Sequence, residues 1–235
     1  MGEMISYQSN GGTSEGYLAI PQAAGDAAVP AVPAVIVIQE WWGLVGHITS
    51  VADRIAAAGF LALAPDLYHG HMASEPDEAQ KLMMGLAMDQ AAKDIAGAAA
   101  YLAGRPECTG GVAVVGFCLG GSLALWAGTL SQHITAAVGY YPAIPWERMQ
   151  PSWQNYSGKA ALIHADEAEG GSGAPGIQQA MQLISDAGGE VTAYDYAGTG
   201  HAFFNDDRPE VYDQPAATLS WDRTLTFLHD RLRAG

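Results

Sequence analysis

The chain has 235 residues, 49% of them hydrophobic, with a formal net charge of −15 and ten Lys and Arg in all. That length allows one large core, and a strongly acidic chain with scattered basic residues is not expected to bind nucleic acid or an anionic membrane. No run approaches the ~18 continuous apolar residues of a membrane span, and Met1-Gly2-Glu3-Met4 lacks the basic-then-apolar opening of a leader, so a cytoplasmic, single-domain protein over 1–235 is expected.

In chain order, residues 4–20 read as a hairpin turning through Asn10-Gly11-Gly12, and Pro21 to Pro33 as a connecting loop. Ala34-Val35-Ile36-Val37-Ile38-Gln39 is apolar almost throughout, as expected of a strand covered on both faces of a parallel sheet. Residues 48–58 repeat at helical spacing and stop at Gly59, and Phe60-Leu61-Ala62-Leu63-Ala64 is the next strand. Residues 77–103 carry one long helix or two consecutive ones. Strands then follow at 111–115, 136–140, 160–164 and 191–195, with helices after the first at Ser122, at 175–187 and at 214–233. Strands alternating with helices from residue 34 onward predict a mostly parallel, doubly wound sheet with helices on both faces. In such a sheet, sites gather beyond the carboxyl ends of the strands.

The stretch Gly116-Phe117-Cys118-Leu119-Gly120-Gly121 joins strand to helix through glycines and sets Cys118 on a sharp turn, the context of a nucleophile elbow. A thiol suits that place, because the amides opening the helix favour thiolate. Cys108 lies before the strand and Cys118 after it, about 20 Å apart at ~3.3 Å per residue, too far for a disulfide. Other strand ends bring Glu40 with Trp41 and Trp42, then Asp166, Glu167 and Glu169, then His201. The chain order nucleophile, acid, histidine is that of the α/β-hydrolase triad: the thiol attacks an acyl carbon, the imidazole accepts and returns the proton, and the carboxylate orients the imidazole.

Gln39-Glu40-Trp41-Trp42-Gly43, Ala64-Pro65-Asp66-Leu67-Tyr68, the Cys118 elbow, Gly139-Tyr140-Tyr141 and Gly200-His201-Ala202-Phe203 together resemble the dienelactone hydrolase (carboxymethylenebutenolidase) family, in family order across nearly the whole chain. The resemblance implies an α/β-hydrolase fold without a large cap domain, and hydrolysis of a small ester or lactone through a thioester. It places the nucleophile at Cys118, the base at His201, a carboxylate that helps activate the thiol at Glu40, and oxyanion donors at the backbone amides of Trp41 and Leu119. The acid falls on Glu169 when counted back from Ala174-Pro175, with Asp166 or Glu167 as alternatives. The expected pocket takes in Trp42, Tyr68, His69, Phe203 and Asn205.

Two departures from the family pattern stand out. Its arginines after the Asp-Leu-Tyr motif and after the catalytic histidine are absent here, where His69 and Asn205 stand, and Arg208 either turns inward to replace them or pairs with Asp206 and Asp207. His69-x-His71 has no third ligand at sensible spacing, so neither a metal nor a cofactor is expected, and His164, inside a strand, is read as a satisfied core histidine. A redox-sensing or binding protein using Cys118, and a thioesterase or acyltransferase using the same triad, are the alternatives to hydrolysis.

Overall fold

The computed structural model describes residues 1–9, 11–22, 31–143 and 146–232; Asn10 of the hairpin turn, most of the 21–33 loop and the tail from Arg233 lie outside them. The described strands form an eight-stranded sheet: β1 (Glu3–Ser9), β2 (Gly12–Ala19), β3 (Val32–Ile38), β4 (Leu61–Pro65), β5 (Cys108–Phe117), β6 (Ile134–Tyr140), β7 (Ala160–Asp166) and β8 (Glu190–Tyr196). Their spatial order is β1-β2-β4-β3-β5-β6-β7-β8, antiparallel for β1 with β2 and β2 with β4 and parallel elsewhere.

Helices α1 (Gly46–Ala57), α2 (Pro76–Gly85), α3 (Met88–Ala103), α4 (Leu119–Ala127), α5 (Pro175–Asp186) and α6 (Gln214–Arg231) supply the layers. Alternation along β3 explains both. Ala34, Ile36 and Ile38 share one core cluster with Ile95 and Leu102 of α3, Leu123 of α4 and Ile184 of α5, while Val35 and Val37 share another with Ile48 and Ile55 of α1 and Leu228 of α6. A strand covered on both faces has no polar side to offer, hence its continuous apolar run. No helix among the described residues is long and apolar enough to cross a membrane.

Several boundaries moved. β3 begins at Val32 and so contains Pro33, at a register irregularity with β5 where a missing N–H is tolerated. β5 begins at Cys108 rather than Gly111, so Cys108 opens the strand; both cysteines are unbonded. The 77–103 region is two helices, parted where Leu86 is extended. His164 is fully buried, paired to the Tyr196 hydroxyl at 2.7 Å and to Thr224 Oγ1 at 2.9 Å, and burial drives its pKa down to about 3, so it stays neutral.

The chain leaves β3 for β4 on one side and returns through α3 to β5 on the other. The switch point therefore lies between the carboxyl ends of β3 and β5, where such sheets open a crevice.

Candidate active site

At that switch point β5 passes into α4 through Cys118, whose backbone has φ 56° and ψ −117°, a strained setting for a residue with a side chain. The flanking glycines permit it. A Cβ on Gly116 would sit 1.9 Å from the Gly120 carbonyl oxygen, and one on Gly120 would sit 2.5 Å from the carbonyl oxygens of Ile38 and Gln39. Absent side chains thus let α4 start directly against β3, raising the sulfur at the rim. The backbone N–H groups of Leu119 and Trp41 both face that sulfur.

The thiol is not acidic here. Burial, and then the negative charge of Glu40, push Cys118 up to about 12, against the lowering pull of the Leu119 and Trp41 amides. The pull of the helix amides toward thiolate is thus opposed by desolvation beside a carboxylate.

Glu40 follows β3 and is 1% exposed. Burial raises its carboxyl to about 7, against the hydrogen bond donated by Asn205 Nδ2 to Oε2 at 2.8 Å and smaller help from the Arg208 charge and the Tyr141 hydroxyl. Its other oxygen, Oε1, and the Tyr141 hydroxyl are both buried with no well-formed hydrogen bond, although the hydroxyl stands near enough to favour the charged carboxylate. Tyr141 was quoted in the sequence only as part of a motif. It has φ 36°, its amide donates to the His164 carbonyl at 2.7 Å, and its ring meets that of His201 edge-on at 5.0 Å. One phenol thus touches the surroundings of both Glu40 and His201, a link no sequence pattern announces.

His201 Nδ1 lies 3.2 Å from Glu169 Oε2 and 3.9 Å from Asp166 Oδ2. Asp166 ends β7 and caps the turn that follows, its Oδ1 accepting from the Glu169 amide at 3.0 Å, so its backbone role places Glu169. Burial, with the neighbouring Glu169 charge, raises the Asp166 pKa. Glu167 instead accepts from the Gly198 amide at 2.7 Å.

Three expected pocket residues stand elsewhere. Phe203 is fully buried against Tyr141 and Tyr196, with ring centroids at 5.3 and 5.0 Å; it supports the site from beneath and offers no face to a ligand. Asn205 is 2% exposed and spends its amide on Glu40, so it positions that carboxylate instead of lining a wall. His69 turns toward Asp94 of α3, Nε2 to Oδ2 at 3.1 Å, and with Tyr68, His71 and Lys81 lines a separate cavity of about 270 Å³. Tyr68 stays close, its buried hydroxyl within the field of Cys118. Trp42 packs edge-on against Trp41 at 5.1 Å, and the Arg208 guanidinium lies 5.8 Å from its ring while bonded to Glu210 at 2.9 Å. Arg208 therefore does turn toward the rim, and Asp206 pairs with Arg54 instead.

The chain is similar to known proteins over nearly its whole length. Residues 15–232 match the model of the dienelactone hydrolase family. "Protein usf" of Aquifex pyrophilus is 34% identical over 99% of this chain and the whole of its own length. A carboxymethylenebutenolidase of a Pseudomonas species (strain P51) is 30% identical over 83% of this chain and 84% of its own. Among solved structures, the dienelactone hydrolase-like promiscuous phosphotriesterase P91 from metagenomic libraries superposes with a TM-score of 0.77 at 20% identity, covering 98% of both chains. The chain belongs to the dienelactone hydrolase family and is a hydrolase of the α/β-hydrolase fold.

Proposed function

We propose that this protein hydrolyses small, neutral esters or lactones through a thioester on Cys118. The observation that carries the reading is the Cys118 elbow, strained at φ 56°, with the Leu119 and Trp41 amides converging on its sulfur.

The substrate carbonyl oxygen takes the place between those two amides, which stabilise the negative charge that develops there. The thiol proton passes to His201 as the sulfur bonds to the carbonyl carbon and the carbonyl pair moves onto oxygen. When the tetrahedral species collapses, His201 returns that proton to the departing alcohol oxygen, leaving a thioester. A water then gives its proton to His201 while its oxygen attacks the thioester, and the expelled sulfur recovers the proton. Glu169 holds the imidazole and stabilises its cation.

Glu40 sets when this happens. Its charge opposes the thiolate, and with a pKa of about 7 it is divided between charged and neutral forms near neutrality. In the fraction that has taken a proton from solvent, Glu40 carries no charge to oppose the thiolate as it forms. The test is turnover of p-nitrophenyl acetate and a small lactone, with acid-quenched intact mass to trap the acyl group. Multiple turnovers that vanish in Cys118→Ala are expected. Turnover that survives in Cys118→Ala, or a single labelling event without turnover, would overturn the reading.

A further inference from the structure

A triad needs one carboxylate, and this site has two. Nδ1 of His201 and one oxygen each from Asp166 and Glu169 lie within 4.8 Å of one another. We propose that these three side chains form a binding site for a divalent transition-metal cation of the zinc type, and that its occupation reversibly inhibits the enzyme.

Zinc holds nitrogen and oxygen ligands at about 2.0–2.2 Å in a tetrahedron, which sets the ligand atoms about 3.4 Å apart. The separations from Nδ1 are 3.2 Å to Glu169 Oε2 and 3.9 Å to Asp166 Oδ2, and the two carboxylate oxygens lie within 4.8 Å of each other, so small side-chain shifts bring the three to that spacing. Two independent features point to a cation. His201 Nδ1 is buried without a well-formed hydrogen bond although both carboxylates approach it. The Asp166 side chain is 2% exposed, with Oδ1 held by the Glu169 amide and Oδ2 directed at the imidazole. Two carboxylates against one imidazole also leave surplus negative charge even when the ring is protonated, and a divalent cation neutralises it. The Glu169 side chain is 51% exposed, which leaves a solvent path for entry and a position for water as a fourth ligand. The backbone bond from the Glu169 amide to Asp166 Oδ1 steadies both carboxylates, as outer partners do in metal sites.

The inhibitory effect follows from the tautomer. A metal on Nδ1 leaves the neutral ring with its proton on Nε2, so the ring has no lone pair to accept the thiol proton. This consequence rests on His201 serving as the base; binding does not.

Calorimetry with zinc chloride on Cys118→Ala tests the site, because that variant removes the thiol as a competing ligand. One zinc per chain is expected, weakened at least about tenfold by adding Glu169→Gln or Asp166→Asn, with folding checked by circular dichroism. In parallel, zinc should inhibit ester turnover by the unmodified enzyme, and EDTA should restore it. Loss of binding in Cys118→Ala would show the thiol to be the ligand and overturn the proposal. Unchanged affinity in both acid variants would place the ion elsewhere and overturn it too. Binding in the expected pattern with no inhibition would uphold the site and overturn the role of His201 as base.

Discussion

Replacing Glu169 with Gln keeps the shape of the side chain and removes its charge from His201. At 3.2 Å, a full ion pair is worth about 5 kcal/mol at an effective dielectric of about 20, and about 1.3 kcal/mol in bulk water. The Glu169 side chain is 51% exposed and that of His201 30%, so screening brings the interaction toward the lower figure, about 2 kcal/mol. On the proposed mechanism the imidazolium forms only as the thiol loses its proton, so that energy belongs to the transition state and its loss should lower kcat by about 30-fold. Asp166 Oδ2 stands at 3.9 Å, beyond hydrogen-bond reach. Asp166→Asn retains an oxygen for the Glu169 amide, and should cost less than about tenfold. Glu167→Gln, whose oxygen serves the Gly198 amide, should cost no more than about twofold. Initial rates on p-nitrophenyl acetate, with circular dichroism on each variant, give the ranking. If Asp166→Asn is the more damaging change, the buried carboxylate is the triad acid and the argument from distance is wrong.

Only thiolate reacts with iodoacetamide, and Cys118 is held at about 12; its labelling rate should climb about tenfold per pH unit from 7 to 10. A plateau below pH 9, mapped to Cys118 by peptide mass, contradicts the burial argument. Asn205 donates to the charged form of Glu40 and so lowers its pKa; in Asn205→Leu the carboxyl rises above about 7, and the limb of the kcat/KM profile belonging to Glu40 should move to higher pH by about one unit. An unmoved profile would mean that Glu40 does not govern that limb. A Cβ on Gly120 meets carbonyl oxygens of Ile38 and Gln39 at 2.5 Å, so Gly120→Ala should lose more than about 3 kcal/mol in urea unfolding, and a wild-type midpoint would deny the close packing of the elbow. With Arg208 bonded to Glu210 and three carboxylates at the rim, a neutral methyl ester should exceed carboxylated dienelactone about tenfold in kcat/KM, from about 1.5 kcal/mol per lost charged hydrogen bond. A free acid that is the better substrate, with that preference removed in Arg208→Ala, would place an anion site at Arg208.

The layers were legible because periodicity is a one-dimensional trace of burial. Val35 and Val37 face α1 while Ile36 and Ile38 face α3, and that two-sided burial is written directly in the run. The elbow was legible for a steric reason, since Gly116 and Gly120 stand where any Cβ would collide with backbone. Roles set by contacts across the sheet were not. Asn205 meets Glu40 across 165 positions of sequence, and its short amide looks the same whether it lines a wall or holds a carboxylate. Phe203 likewise sits two residues after His201, but the turn at Ala202, with φ 66°, sends it into the aromatic core. For Cys118 a helix N-terminus is visible in sequence, while the desolvation that opposes it is not.

That desolvation bears on the choice between hydrolase and redox sensor. A sensor cysteine reacts with peroxide as an accessible thiolate, so its pKa must be low and its sulfur reachable. Cys118 is partly exposed, but burial of its sulfur and the Glu40 charge hold its proton on. In the proposed mechanism that proton leaves to His201 while a neutral Glu40, its pKa about 7, no longer opposes the thiolate, and the Leu119 and Trp41 amides face the charge that then appears. An inert resting thiol suits an enzyme that must not be alkylated or oxidised between turnovers, and it would defeat a sensor.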